Sequence, residues 1–123
     1  MGLVPAIEEP DGFTLFESNA IIKYLCNAHA PGSALYPADA RTRGQVDAWM
    51  DLQQTALSAP GGTFFIGLVR TPPEKRDMEA IGKAAAEAGR LFARLDGWLE
   101  GRKYVAGGHL TMGDIPVGCF VYR

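Results

Sequence analysis

Glu17 and Ser18 stand where an extended run, Phe13-Thr14-Leu15-Phe16, passes into a helical pattern that continues Asn19-Ala20-Ile21. A helix begins with backbone N–H groups that have no intrahelical partner, so this junction is suited to hold an anion. The Ser18 hydroxyl and those N–H groups can take a carboxylate, and the Glu17 carboxylate can pair with an amine. Just upstream lies a second short apolar run, Leu3-Val4-Pro5-Ala6-Ile7, with a proline near its start. Each feature also has a plain structural reading. Ser18 serves as a helix N-cap, Glu17 as a charge favourable to the helix dipole, and Pro5 as a strand edge.

No other cluster offers chemistry. His29 and His109 stand alone, near a helix end and in a Gly-rich loop, and no metal-ligand spacing is present. Cys26 and Cys119 fall in helical patterns far apart in sequence, so both read as small buried hydrophobes rather than a disulfide. The 123 residues, 47% apolar with net charge -2, have the balance of a water-soluble globular chain. No Lys/Arg block marks a nucleic-acid or membrane surface, and no apolar run reaches the roughly 18 residues of a span. No secretory signal is visible at Met1-Gly2-Leu3-Val4-Pro5.

The elements that must position Glu17 and Ser18 follow from pattern. Residues 3–8 and 13–17 read as an antiparallel hairpin turned by Glu9-Pro10-Asp11-Gly12. Ser18 is the expected N-cap of a first helix whose apolar face is Ile21, Tyr24, Leu25 and Ala28. Ala30-Pro31-Gly32-Ser33 ends it. A second helix is expected from Asp39 as N-cap, with Val46, Trp49, Met50 and Leu57 inward and Gln53 on the same stripe. Ala59-Pro60-Gly61-Gly62 should break that helix, leaving 63–70 irregular or briefly helical. Thr71-Pro72-Pro73-Glu74 reads as a capping box that starts a third helix ending near Gly101. Thr111-Met112-Gly113-Asp114 reads as a second box, with Leu110 and Ile115 as its hydrophobic staple.

Taken together, Val4-Pro5-Ala6-Ile7, Leu15-Phe16-Glu17-Ser18-Asn19-Ala20-Ile21, Tyr24-Leu25, Tyr36-Pro37, Tyr104-Val105-Ala106-Gly107 and Leu110-Thr111-Met112-Gly113-Asp114-Ile115 resemble a glutathione S-transferase. The Trp49–Gln54 stretch and Thr71–Asp77 are more similar to bacterial, theta-like members. The resemblance implies an α+β chain. Residues 1–30 would be the C-terminal part of a thioredoxin-like, glutathione-binding domain, a β-hairpin plus a helix. Residues 31–40 would be a linker, and 41–123 part of an all-α helical domain.

What the resemblance implies for the site is specific. Val4 corresponds to the residue whose backbone pairs with the cysteinyl part of glutathione, and Pro5 to a cis-proline that holds that backbone. Glu17 and Ser18 correspond to the pair gripping the γ-glutamyl end. Trp49, Met50 and Gln53 either line a hydrophobic substrate site or form helix core or subunit contact. Leu3 departs from the basic or amide residue that often meets the glycyl end. The family's catalytic Ser, Tyr or Cys belongs to a β-α-β unit preceding residue 1, so no catalytic residue is assigned here. The final helix is expected to be cut short at Tyr122-Arg123. The intact form would conjugate glutathione, as co-substrate and without a metal, to small hydrophobic electrophiles in cytoplasmic detoxification, as a homodimer. The chain alone is expected to have little transferase activity, and an exposed hairpin edge invites pairing with another chain. Two rival readings stay open: a non-catalytic binding or assembly module like those attached to translation factors, and an inactive truncated product.

Overall fold

The computed structural model describes residues 4–122. Strands β1 (Ala6–Glu8) and β2 (Thr14–Phe16) form the expected antiparallel hairpin, with Ile7 opposite Leu15. Gly12 makes the turn at φ 88, where a side chain is disfavoured, and Asp11 accepts a hydrogen bond from the Phe13 N–H at 3.0 Å. Helix α1 (Ser18–His29) follows with no loop between.

The start of α1 differs from expectation. Ser18 is the first helical residue, and the cap position falls to Glu17, at φ 70 and ψ 115 with no side-chain capping bond. β2 runs straight into α1, so the change of direction must be made at a single residue. The inward face of α1 is also turned from the expected one. Ile21 and Cys26 are buried and Ile22 packs on the core, whereas Leu25 and Ala28 are exposed.

Asp39 caps helix α2 (Ala40–Leu52) as expected, accepting from the Thr42 N–H at 2.8 Å. The predicted break at Pro60 does not occur. A π-helical turn (Gln53–Leu57), helix α3 (Ser58–Phe65) and a second π-helical turn (Ile66–Arg70) continue α2 as one column. A proline ring clashes with the carbonyl four residues back. The widened turn relieves that conflict just before Pro60, with the Ser58 N–H bonded to the Gln53 carbonyl.

The Thr71 capping box does not form either. Its hydroxyl donates back to the Ile66 carbonyl at 2.9 Å. Pro72 precedes another proline and is held extended (φ -53, ψ 144), so only a short 3-10 turn, Pro73–Lys75, follows. Helix α4 (Met78–Leu99) instead starts at Asp77, which accepts from the Ala80 N–H at 2.9 Å. Gly101, at φ 72, lies just past its end as expected.

Helix α5 (Asp114–Val121) begins two residues later than the second box implies, with Gly113 at its cap, and only one half of the box forms: Asp114 reaches back to the Thr111 N–H, while the Asp114 N–H bonds the Thr111 carbonyl. The Asp114 carboxylate accepts from the Thr111 N–H at 2.8 Å, the Thr111 hydroxyl at 2.9 Å and the Val105 N–H at 2.8 Å. Thr111 is fully buried, so this carboxylate satisfies donors that water cannot reach. The staple partners Leu110 and Ile115 are both exposed.

The core joins these elements. Cys26, Tyr36, Val46, Met50, Leu95, Val105, Ala106, Met112 and Val117 form one cluster, with Ile22, Leu35, Trp49 and Leu99 packed on it. Residues 30–39 carry no strand or helix, yet they are docked. The Met112 N–H donates to the Leu35 carbonyl at 2.8 Å, and His109 meets the Ala34 carbonyl at 2.9 Å. Among the described residues no helix is long and apolar enough to cross a membrane.

Candidate functional site

Three groups meet at the entrance of α1. The Val4–Pro5 peptide bond is cis, and Val4 is 93% exposed. Glu17 holds positive φ, which for a residue with a side chain costs about 1–3 kcal/mol. The first helical N–H to be bonded is that of Ile21, which donates to the Glu17 carbonyl at 2.9 Å. The N–H groups of Ser18, Asn19 and Ala20 precede it and have no helical acceptor. Among the described residues neither the Ser18 hydroxyl nor the Glu17 carboxylate has a partner, and both residues are exposed. An open set of N–H donors, a hydroxyl and a carboxylate can hold a zwitterionic amino-acid headgroup.

The same helix end opens on a cleft of about 1090 Å³. Ser18 and Asn19 edge it at one place, and Gln53, Phe64, Phe92 and Phe120 line its walls. The lining is mainly apolar. The Phe92 and Phe120 rings pack at 5.7 Å, and Gly61 gives Phe120 room, because a Cβ there would lie 1.9 Å from the ring. Such a wall takes an apolar molecule of modest size.

The expected substrate stripe divides. Met50 is fully buried in the core, and Trp49 packs on the core, its ring 5.6 Å from that of Trp98. Only Gln53 of the three lines the cleft, and there it donates to the Ser58 hydroxyl at 3.0 Å. The reason is the direction of α2. Its Val46–Met50 face is turned to α5, and Gln53, at the end of the regular α register, lies on the side that reaches the cleft. Cys119, expected as a buried hydrophobe, is exposed on the cleft, while Cys26 is buried and both thiols are free. Leu3 lies outside the described residues. Among those described, no group of His, Cys, Asp or Glu could hold a metal ion.

Sequence reasoning missed the groups that anchor α1. Asn19 donates to the Met50 carbonyl at 3.3 Å, and Lys23 pairs with Asp47 at 2.6 Å. Asp47 also accepts from the Tyr36 hydroxyl, at 3.1 and 3.2 Å to its two oxygens. Burial and the bond to Asp47 hold the Tyr36 hydroxyl above its ordinary range. Partial burial pulls the Lys23 ammonium down, but the hydrogen bond and charge of Asp47 outweigh it and raise it overall. The only sequence signal was the four-residue spacing of Asn19 and Lys23, which puts both on one helix face.

A family model described as "Glutathione S-transferase, C-terminal domain" matches residues 57–123, more than half of the chain. Glutathione S-transferase GstB of Escherichia coli is 38% identical over 123 residues, which cover 99% of this chain and 59% of that protein. Human elongation factor 1-gamma is 32% identical over 121 residues, covering 96% of this chain but 25% of that protein. Among solved structures, the theta-class glutathione S-transferase of Xanthomonas axonopodis pv. citri with glutathione bound superposes with TM-score 0.90 at 40% identity, covering 98% of this chain and 57% of that one. The chain therefore spans less than two thirds of the relatives it matches. With its hairpin-to-helix entrance, its helical body and these likenesses, the chain belongs to the glutathione S-transferase family.

Proposed function

We propose that the chain is part of a glutathione S-transferase, binding glutathione at the entrance of α1 and an apolar electrophile in the adjoining cleft. The observation that supports this reading is the open set at that entrance: exposed Val4, the Glu17 carboxylate, unpaired among the described residues, and the Ser18 hydroxyl beside N–H groups with no helical acceptor. Val4, fixed by Pro5, pairs with the cysteinyl backbone. Glu17 takes the α-amino group, and Ser18 with the helix start takes the α-carboxylate. The thiol then faces the cleft, where Gln53 and the phenylalanines receive the electrophile. Residues 1–30 form the glutathione portion and 41–123 the helical portion. The sulfur-activating group is not assigned to any residue here. Cytoplasmic detoxification as a homodimer is the setting in which this reading places the protein.

Isothermal titration with glutathione tests the site. Binding should be measurable for the unmodified chain, and Glu17→Gln and Ser18→Ala should each weaken it about tenfold, the effect of losing one charge-assisted hydrogen bond. Equal affinity in all three proteins rules the assignment out. The likeness to elongation factor 1-gamma favours a second reading, an assembly module that uses the helical surface. A chain that ignores glutathione yet forms a defined complex with a protein partner would support that reading instead.

A further inference from the structure

Ser18 at the start of α1 is exposed while Ile21 one turn on is buried, and the hairpin before it has no other strand among the described residues. Its orientation must come from the body of the helix, where Ile22 and Cys26 pack on the core and two polar side chains one turn apart bond to α2. Asn19 reaches the Met50 carbonyl at 3.3 Å, and Lys23 reaches Asp47 at 2.6 Å, both on α2. The same Asp47 carboxylate accepts from the hydroxyl of buried Tyr36. Arg43 lies over the Tyr36 ring at 4.4 Å and donates to the Pro37 carbonyl at 2.7 Å, which fixes the ring from its other side. Asp47 is thus a hub joining α1, α2 and the 30–39 segment, and its side chain is only 34% exposed.

We propose that Lys23 and Asp47 are positioning residues for the glutathione-binding end of α1, setting the angle at which Ser18 and its neighbouring N–H groups are presented. This rests on the reading that Glu17 and Ser18 bind glutathione. Neither residue of the pair touches that site. Lys23 lies on the turn after Ser18, and Asp47 on the helix against which α1 is docked. An anchor on one side of a short helix fixes its tilt, and an anion held by helix N–H groups is sensitive to that tilt.

The test is glutathione titration of the full chain carrying Lys23→Met, Lys23→Arg or Leu99→Ala, each confirmed folded by circular dichroism. Lys23→Met keeps the aliphatic stem and leaves the Tyr36–Asp47 bond in place. It should weaken glutathione about three- to tenfold, toward the low end of the coupling between contacting groups. Lys23→Arg should restore binding. Leu99→Ala loosens core packing away from the pair and should leave affinity unchanged. Equal weakening in Lys23→Met and Leu99→Ala, or no weakening in Lys23→Met, overturns the proposal. Hydrogen exchange of the amides of residues 21–25 separates the two readings. If the unmodified chain does not bind glutathione, the Glu17–Ser18 reading fails. Positioning of the helix then stands on faster exchange in Lys23→Met than in the unmodified chain, and falls if exchange is the same.

Discussion

Asp114 shows how much a single side chain can carry. Its carboxylate accepts three hydrogen bonds from two chain segments, including both donors of fully buried Thr111. Asp114→Ala should cost about 3 kcal/mol in urea unfolding, because buried donors are left without partners. The Lys23–Asp47–Tyr36 group gives a second residue-scale expectation. Lys23 and Tyr36 both bind their protons more tightly folded than unfolded. Their contribution is therefore complete below the unfolded values, about 10.5 and 10, and is lost as pH rises through the higher folded values. Melting temperature followed into alkali should fall above about pH 10, and Lys23→Met should flatten the Lys23 share of that fall. An unchanged slope in the variant would mean the pair has no such linkage.

At the scale of elements, the column from Ala40 to Arg70 is the part least visible in the sequence. Pro60-Gly61-Gly62 carries the strongest breaking signal in the chain, and the helix passes through it. The conflict is absorbed one turn earlier, where Gln53 and Ser58 clasp the wide turn: Nε2 donates to the Ser58 Oγ at 3.0 Å, and that hydroxyl donates to the Gln53 carbonyl at 3.1 Å. Ser58→Ala should cost about 1 kcal/mol by thermal unfolding and loosen the cleft wall at Gln53. Met50→Ala, in contrast, empties a fully buried core position and should cost about 3 kcal/mol. The ranking of the two variants is the useful measurement, since it separates a clasp from a core contact. The prolines at 72 and 73 give the opposite lesson. A capping box is a local pattern, but a second proline removes the helical conformation its first turn requires.

At the scale of the whole molecule, the candidate site joins the entrance of α1, the side of the α2–α3 column, α4 and α5 around one cleft. If glutathione binds there, saturating it at about a hundredfold above its dissociation constant should stabilise the fold by about 2.7 kcal/mol. A thermal shift with glutathione, set against one with free glutamate, reads this directly. The sequence by itself determined the hairpin, the Asp39 cap, the Thr111–Asp114 pairing and the Glu17–Ser18 junction. Those depend on residues a few positions apart, whose hydrogen bonds and turn preferences are local. Only the tertiary structure decided that Met50 belongs to the core while Gln53 meets the cleft, and that Lys23 and Asp47 dock α1. Those outcomes depend on which face each helix turns to its neighbours, which is set by packing between segments tens of residues apart.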